Sequence, residues 1–288
     1  MTDTLLPTRG HLDSGRTRPA TLQASTAVLL AVVGHAVLTP MLAPGAWHEV
    51  DLSIARQAPS LRHWFGTDNA GRDLFLRVAQ GLRVSLLVAV CCATVSTVFG
   101  LLVGTVAAAA GRWWDGLLMR LADATNALPH LVLGIVVVAF FPGSLTAIIA
   151  SVALTHWPQV ARLVRSVALT THRMEYVEAA YLGGASRWAV LRSHLLPAAA
   201  GQGVVALVLL LPHAVWHEST LSFLGLGLAP DRASLGTLLE ISRGEIFTGA
   251  WWTLFFPAAL LVLTTMATAG LAAALRRRLS PTEPGRLE

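Results

Sequence analysis

The sequence contains no lysine, since all 21 of its basic residues are arginine. A standard phosphate-binding loop uses a lysine to reach the phosphates of a nucleotide, so this chain cannot carry one. Chemistry through a lysine Schiff base is excluded for the same reason. Any use of ATP by this chain would therefore depend on a separate subunit.

Cysteine and charge are also scarce. The two cysteines, Cys91 and Cys92, are adjacent within an apolar run, which predicts small buried residues and gives no disulfide framework or zinc pattern. Charged residues make up 13% of the chain, against about 25% in a soluble domain. With 54% hydrophobic residues and a mean hydropathy of +0.61, the composition indicates a helical membrane protein with several spans.

The apolar residues are concentrated in long runs separated by polar or turn-forming stretches. We expect an all-α fold with six transmembrane helices, at about 22–42, 84–110, 117–141, 145–161, 198–216 and 251–275. The first run is longer than the 7–15 apolar residues of a signal peptide, so it is predicted to be a helix of the mature protein. The polar ends, 1–21 and 279–288, are expected to be flexible tails.

The distribution of arginine predicts the orientation. If both ends are cytoplasmic, the inner segments 1–21, 111–120, 162–194 and 276–288 hold 14 arginines, and the outer segments 45–83 and 217–250 hold seven. Positive residues favour the cytoplasmic side. We therefore expect both termini, and the long loop at 162–197, to lie in the cytoplasm.

That loop contains the stretch EYVEAAYLGGASRWAVLRSHLLP at 175–197. The apolar spacing predicts a helix over 171–182, ended by Gly183 and Gly184. Ser186 is a suitable N-cap for a second helix that continues into the next span at Pro197. The pattern predicts a compact helix–turn–helix knob beneath the bilayer, although an ordinary amphipathic loop would fit the pattern alone.

The same stretch resembles the EAA-x3-G-x9-I-x-LP pattern of bacterial binding-protein-dependent ABC importer permeases. Glu178, Ala179 and Ala180 stand at its first three positions and Gly184 at its glycine, while Leu196 and Pro197 close it. His194 stands where the general pattern has isoleucine, and this variant resembles the peptide-type branch.

Two further stretches resemble the dipeptide/oligopeptide/nickel (DppC/OppC-type) branch. FGTDNAGRDLFLRVAQGLRVSL at 65–86 is similar to its FGTDxxGRDxxSR segment, with Leu76 in place of serine. ESTLSFLGLGLAPDRASLG at 218–236 is similar to its E-x-x-LSFLGLG-x-x-P segment, with Leu235 where tryptophan is common. The resemblance covers about residues 22–278.

This resemblance implies a type I ABC importer permease fold and ATP-driven uptake of di- or oligopeptides across the bacterial inner membrane. It implies a second permease subunit, two subunits that bind ATP and Mg²⁺, and an extracytoplasmic peptide-binding protein; we expect no nucleic acid partner and no cofactor in this chain. A nickel or metal-chelate importer of the same family is the alternative. The residues expected to couple the chain to the ATPase are Glu178, Ala179, Ala180, Gly184, His194, Leu196 and Pro197.

Polar residues within the apolar runs are candidates for the transport pathway. Asp123, Asn126 and His130 are spaced to share one helical face, although Arg120 and Asp123 could instead pair locally at the membrane surface. His213 and His217 have a spacing that can share a metal, but we expect no metal site there. Glu218 is expected to pack against the SFLGLG turn.

Other classes of protein fit less well. The stretch HESTL at 217–221 lacks the second histidine of a zinc protease, and no G-x-S-x-G motif is present, so an intramembrane hydrolase is disfavoured. A purely structural membrane scaffold would leave the EAA-like knob unexplained. We therefore expect a transport subunit without catalytic residues of its own.

Overall fold

The computed structural model describes residues 19–228 and 232–279. Most of the two predicted tails, 1–21 and 279–288, and residues 229–231 of the ESTLSFLGLGLAPDRASLG stretch lie outside the described residues. Within the described ranges the chain is helical, and β-pairing is limited to isolated bridges such as that between Thr67 and Asp73. The predicted all-α class is confirmed.

The described part of the chain contains ten α-helices. They are α1 (Pro19–Leu42), α2 (Leu74–Ala109), α3 (Arg112–Ala127), α4 (His130–Ala139), α5 (Leu145–His172), α6 (Glu175–Leu182), α7 (Arg187–Val190), α8 (Leu196–Phe223), α9 (Leu235–Ser242) and α10 (Trp252–Leu279). A single π-helical turn, Leu191–Leu195, joins α7 to α8.

Among the described residues, four helical stretches are long and apolar enough to cross a membrane. They are residues 22–42 of α1, the whole of α2, the continuous stretch 187–223, and residues 252–277 of α10. The predicted third span, 117–141, is instead a bent pair, since α3 and α4 meet at 86° and together form a fifth candidate. Pro129 lies at this break, where a proline disfavours helix at the preceding residue. A multi-span membrane protein is therefore the fold that the structure supports.

Several helices extend beyond the predicted spans. α5 covers the predicted fourth span, 145–161, and continues to His172, into the segment expected to be loop. α2 begins at Leu74 rather than near residue 84, because Asp73 accepts hydrogen bonds from the backbone N–H groups of Phe75 (2.9 Å) and Leu76 (3.2 Å) and caps the helix there.

The centre of the bundle is α2, which packs along α5 and α8. Gly100 and Gly104 bring α2 close to α5: a Cβ at Gly104 would lie 2.5 Å from the carbonyl oxygen of Ala161, and one at Gly100 would lie 2.6 Å from the Cβ of Val160. This G-x-x-x-G spacing is the small-residue pattern that lets membrane helices approach each other. It fixes the position of α5, which leads directly to the knob.

The FGTD stretch joins the start of α2 to the start of α10. Asp68, which is 4% exposed, accepts hydrogen bonds from the backbone N–H of Ala70 and Arg72 and pairs with the Arg72 and Arg77 guanidinium groups. The indole N–H of Trp252 donates to the carbonyl oxygen of Thr67 at 3.1 Å. This motif is therefore a structural junction at the end of the bundle opposite the knob.

Candidate functional site

The knob begins where α5 stops. The predicted helix over 171–182 is wrong in its first part, because α5 ends at His172 and Met174 takes an extended conformation (φ −78°, ψ 142°). The Met174 carbonyl then accepts the backbone N–H of Val177 at 2.9 Å. The break lets α6 leave the direction of α5, so the knob is a separate element.

The turn between α6 and α7 has the geometry that its two glycines predict. Gly184 has a left-handed φ of +87°, the N–H of Gly184 donates to Tyr181 and the N–H of Ala185 donates to Ala180. These two bonds form a Schellman motif, which satisfies the last carbonyls of α6. Ser186 accepts the N–H of Ala189 at 3.2 Å, so its predicted role as an N-cap is confirmed.

The knob is fixed to the bundle by a small apolar cluster. Val177 of α6, Val190 of α7 and Leu195 of the π turn each have no exposed surface. They pack with Ala108 and Ala109 at the end of α2 and with Ala168 of α5. The knob is therefore packed against the ends of α2 and α5, and the π turn joins it directly to α8.

Two aromatic contacts hold α6 from either side. The hydroxyl of Tyr181 lies 3.3 Å from Nε2 of His172, at the end of α5. The ring of Tyr176 lies 5.7 Å from that of His194, in the π turn. His194 belongs to the motif found in the sequence, but the sequence gave no signal for His172 or Tyr176. Each of them contacts a residue on another helical element.

The predicted coupling residues differ in their exposure. Glu178, Ala179, Gly184 and Pro197 are exposed, while Ala180, His194 and Leu196 are half-buried. Ala180 packs against the buried cluster of the knob, so its small size serves packing within this chain. Glu178, Ala179 and the glycine turn form the exposed side of α6, and a Cβ at Gly184 would meet no other atom within 4 Å.

The predicted pathway residues are separated by the bend. Asp123 accepts a hydrogen bond from Arg162 of α5 at 2.7 Å, and the Asn126 amide oxygen, turned toward it, accepts from the same guanidinium at 2.8 Å. The alternative prediction, that Arg120 pairs locally with Asp123, is therefore wrong. The prediction that His130 shares their helical face is also wrong, because His130 begins α4 beyond the 86° bend.

His130 instead belongs to a group of four histidines. Its ring stacks on His156 of α5 at 5.6 Å, and His156 lies 4.7 Å from His217 and 6.3 Å from His213, both of α8. His156 is 3% exposed, while His213 is exposed at the bundle surface. The sequence indicated the pairing of His213 with His217 by their spacing, but it gave no signal that His130 and His156 join them, because the group spans three helices. Within 19–228 and 232–279, no group of three or more His, Cys, Asp or Glu residues is arranged to hold a metal ion.

Glu218 lies at the far end of α8 and is fully buried. Its carboxylate accepts hydrogen bonds from the hydroxyls of Ser85 (2.8 Å) and Ser222 (2.9 Å), and Ser85 in turn accepts the backbone N–H of Leu235. Gly236 lies against Ser222, so close that a Cβ there would lie 2.5 Å from the serine Cβ. The prediction that Glu218 packs the SFLGLG turn is confirmed.

Known proteins match this chain over the helical bundle and the knob. Residues 96–281 match the family model described as the binding-protein-dependent transport system inner membrane component. The chain is 37% identical over 254 residues to the dipeptide transport system permease protein of Bacillus subtilis. The aligned residues cover 88% of this chain and 79% of the relative.

A second relative, from Brucella suis, carries the name "Putative peptide transport system permease protein". It is also 37% identical over 254 residues, covering 88% of this chain and 85% of the relative. The helical bundle, the EAA-like knob and these matches agree: the chain belongs to the family of binding-protein-dependent transport system inner membrane components, the permeases of ABC importers.

Proposed function

We propose that this chain is the permease subunit that carries di- or oligopeptides across the bacterial inner membrane in an importer driven by separate ATPase subunits. The observation that carries the proposal is the knob, which is rigidly anchored from inside and open on its Glu178–Ala179 side. The peptide cargo is supported by relatives named for peptide and dipeptide transport.

In this proposal, partner subunits supply the energy for transport. The chain has no lysine for a phosphate-binding loop, so ATP and Mg²⁺ are bound by two ATP-binding subunits. Each permease of the transporter, this chain and a second one, presents its knob to one of them. Glu178 and Ala179 supply one carboxylate and a small contact surface where the ATPase can approach closely.

Movement of the knob is passed on through the helices that hold it. From Arg187 to Phe223 the helix is continuous for 37 residues, a length of about 55 Å. Its far end carries Glu218, which bonds to α2 and positions α9 through Ser85. Closure of the ATPases would tilt this rod and change the opposite side of the bundle, where a binding protein delivers cargo.

The π turn at Leu191–Leu195 is the point at which this rod can bend. π turns occur in α-helices mostly as single turns and often at functional sites. This one lies between the knob and the membrane part of the rod, and Leu195 anchors it in the buried cluster. We assign it the role of the hinge between docking and transport.

The orientation follows from charge. The arginine excess in 1–21, 111–120, 162–194 and 276–288 supports cytoplasmic termini and a cytoplasmic knob. The segments 45–83 and 217–250 would then face the binding protein. This side is organised by the Asp68 and Glu218 junctions.

A nickel or metal-chelate cargo is the second candidate, and the four-histidine group favours it. Imidazole is a common ligand for nickel and other transition metals, and three of the four rings lie within 6.3 Å of His156. Although the group is not arranged as a metal site, transient contact with a metal chelate needs less exact geometry.

The decisive experiment is to purify the complete transporter with its binding protein and to identify the bound ligand by mass spectrometry. Peptides would support the proposal, whereas nickel or a metal chelate would overturn the assigned cargo and favour the second candidate. ATP hydrolysis by this chain without its partners would refute the division of labour.

A further inference from the structure

α3 carries two arginines that its own carboxylates do not neutralise. Asp115 pairs with Arg165, with Oδ2 and Nη2 2.6 Å apart, and Asp123 pairs with Arg162; both arginines belong to α5. Arg112 and Arg120 are exposed, and neither has an ion-pair partner among the residues that the structure describes. α3 therefore presents uncompensated positive charge.

These two arginines lie at the ends of one groove. The groove has a volume of about 540 Å³ and is lined by Arg112, Trp113, Gly116, Leu117 and Arg120. Arg112, Gly116 and Arg120 are four residues apart and so lie on one helical face. The axial separation of the two arginines is about 12 Å, so their long side chains can converge on a single group above Gly116.

Gly116 keeps this groove open, because no other atom lies within 4 Å of the position that a Cβ would take there. A glycine inside a helix is less favourable than an alanine. Packing against a neighbouring helix does not explain it, in contrast to Gly104, where a Cβ would contact α5. The space above Gly116 is instead bordered by two cationic side chains.

One exposed indole ring, that of Trp113, lines the groove, and two more lie at a neighbouring cavity. Trp113 is 69% exposed, Trp114 48% and Trp188 68%. Trp114 and Trp188 border a neighbouring cavity of about 220 Å³, together with Arg187. Tryptophan is enriched at the headgroup level of membranes, and arginine forms paired hydrogen bonds with phosphate groups.

We propose that the α3 groove binds the phosphate headgroup of an anionic phospholipid, such as phosphatidylglycerol. The cationic charge selects an anionic lipid, the groove takes its phosphate between Arg112 and Arg120, and Trp113 and Leu117 contact the adjoining glycerol and upper acyl region. Because Arg187 of the knob donates to the carbonyl of Ala110 at 3.3 Å, at the end of α2, the lipid lies beside the knob.

The placement of this site in the cytoplasmic leaflet rests on the proposed orientation, but lipid binding itself does not. The test therefore uses the complete transporter in detergent, where no leaflet is defined. Native mass spectrometry would measure binding of phosphatidylglycerol, of phosphatidylcholine with the same acyl chains, and of phosphatidylglycerol in the presence of inorganic phosphate.

Arg120→Gln is compared with the matched control Arg83→Gln, which removes one exposed charge from α2. A basic residue near an anionic surface contributes about 1 kcal/mol, so Arg120→Gln should weaken phosphatidylglycerol binding about fivefold and Arg83→Gln should not. Gly116→Leu keeps the charge, favours helix and fills the groove, so it should weaken binding as well.

Three results would overturn the proposal. One is equal binding of the two lipids, and another is unchanged phosphatidylglycerol binding in both Arg120→Gln and Gly116→Leu. The third is full displacement of the lipid by inorganic phosphate, which would identify a site for a free anion. If Arg120→Gln instead released a partner subunit while lipid binding stayed intact, α3 would be a protein interface, and the proposal would again fail.

Discussion

The close approach of α2 and α5 predicts opposite effects for the same substitution at two glycines. At Gly104 a Cβ would lie 2.5 Å from the Ala161 carbonyl oxygen and 2.9 Å from Cγ1 of Val164, whereas ordinary contact begins near 3.4 Å. Because a backbone oxygen cannot rotate away, Gly104→Ala must push the helices apart. At Gly201 of α8, no other atom lies within 4 Å of that position.

The magnitudes follow from two competing effects. Overpacking costs about 1–3 kcal/mol, and replacing a helical glycine by alanine gains up to about 1 kcal/mol. Gly104→Ala should therefore be neutral to destabilising by about 2 kcal/mol, and Gly201→Ala should be stabilising by up to about 1 kcal/mol. The two variants should differ in free energy of unfolding by about 1–3 kcal/mol. Each kcal/mol corresponds to a difference of roughly 2–4 °C in Tm.

The assay is thermal unfolding in detergent, followed with a thiol-reactive dye. Cys92 is buried and Cys91 is half-buried in α2, so both thiols report loss of the packing around that helix. A Tm for Gly104→Ala equal to or above that of Gly201→Ala would refute the helix contact described here.

Three further predictions concern the knob and the opposite end of α8. Glu178→Gln should reduce retention of the ATPase subunits on the purified permease, and Glu175→Gln, which also removes an exposed α6 carboxylate, should not; equal losses would contradict docking at Glu178. Gly184→Ala places an alanine in a left-handed backbone conformation, which costs about 1 kcal/mol. Amide hydrogen exchange in the turn should therefore accelerate about fivefold, and Gly184→Asn should accelerate it less. Glu218→Ala leaves two buried hydroxyls without their acceptor and should destabilise the protein by about 3 kcal/mol or more, with Glu218→Gln milder; a thermal melt that does not separate the two variants would contradict this.

Local chemistry made part of this structure predictable. Ser186 caps α7 and Gly184 turns the chain, because both effects depend only on neighbouring backbone groups. The apolar runs indicated membrane helices because the hydropathy of a span is also a property of one continuous stretch of sequence. Glu218 could be assigned to its turn because Ser222, one of its hydrogen-bond partners, is four residues away.

Two errors arose where distant segments meet, and a third arose where Pro129 breaks the helix locally. Asp123 pairs with Arg162, 39 residues away, rather than with Arg120 on its own helix. The bend before His130 turned a predicted single face into two, and so brought His130 to His156. α5 continues beyond its apolar part to His172, because its last turns pack against other helices through Ala168 rather than against lipid.

We propose that the exposed face of α6 couples this permease to an ATPase. The most direct test is ATP-driven uptake by the complete transporter in proteoliposomes, comparing Ala179→Gln with Ala124→Gln. Both alanines are exposed on helices, so neither change should affect folding, but only the first would block the proposed docking surface. We expect Ala179→Gln to lose uptake while the loaded binding protein still binds, and uptake equal to that of Ala124→Gln would contradict coupling through α6.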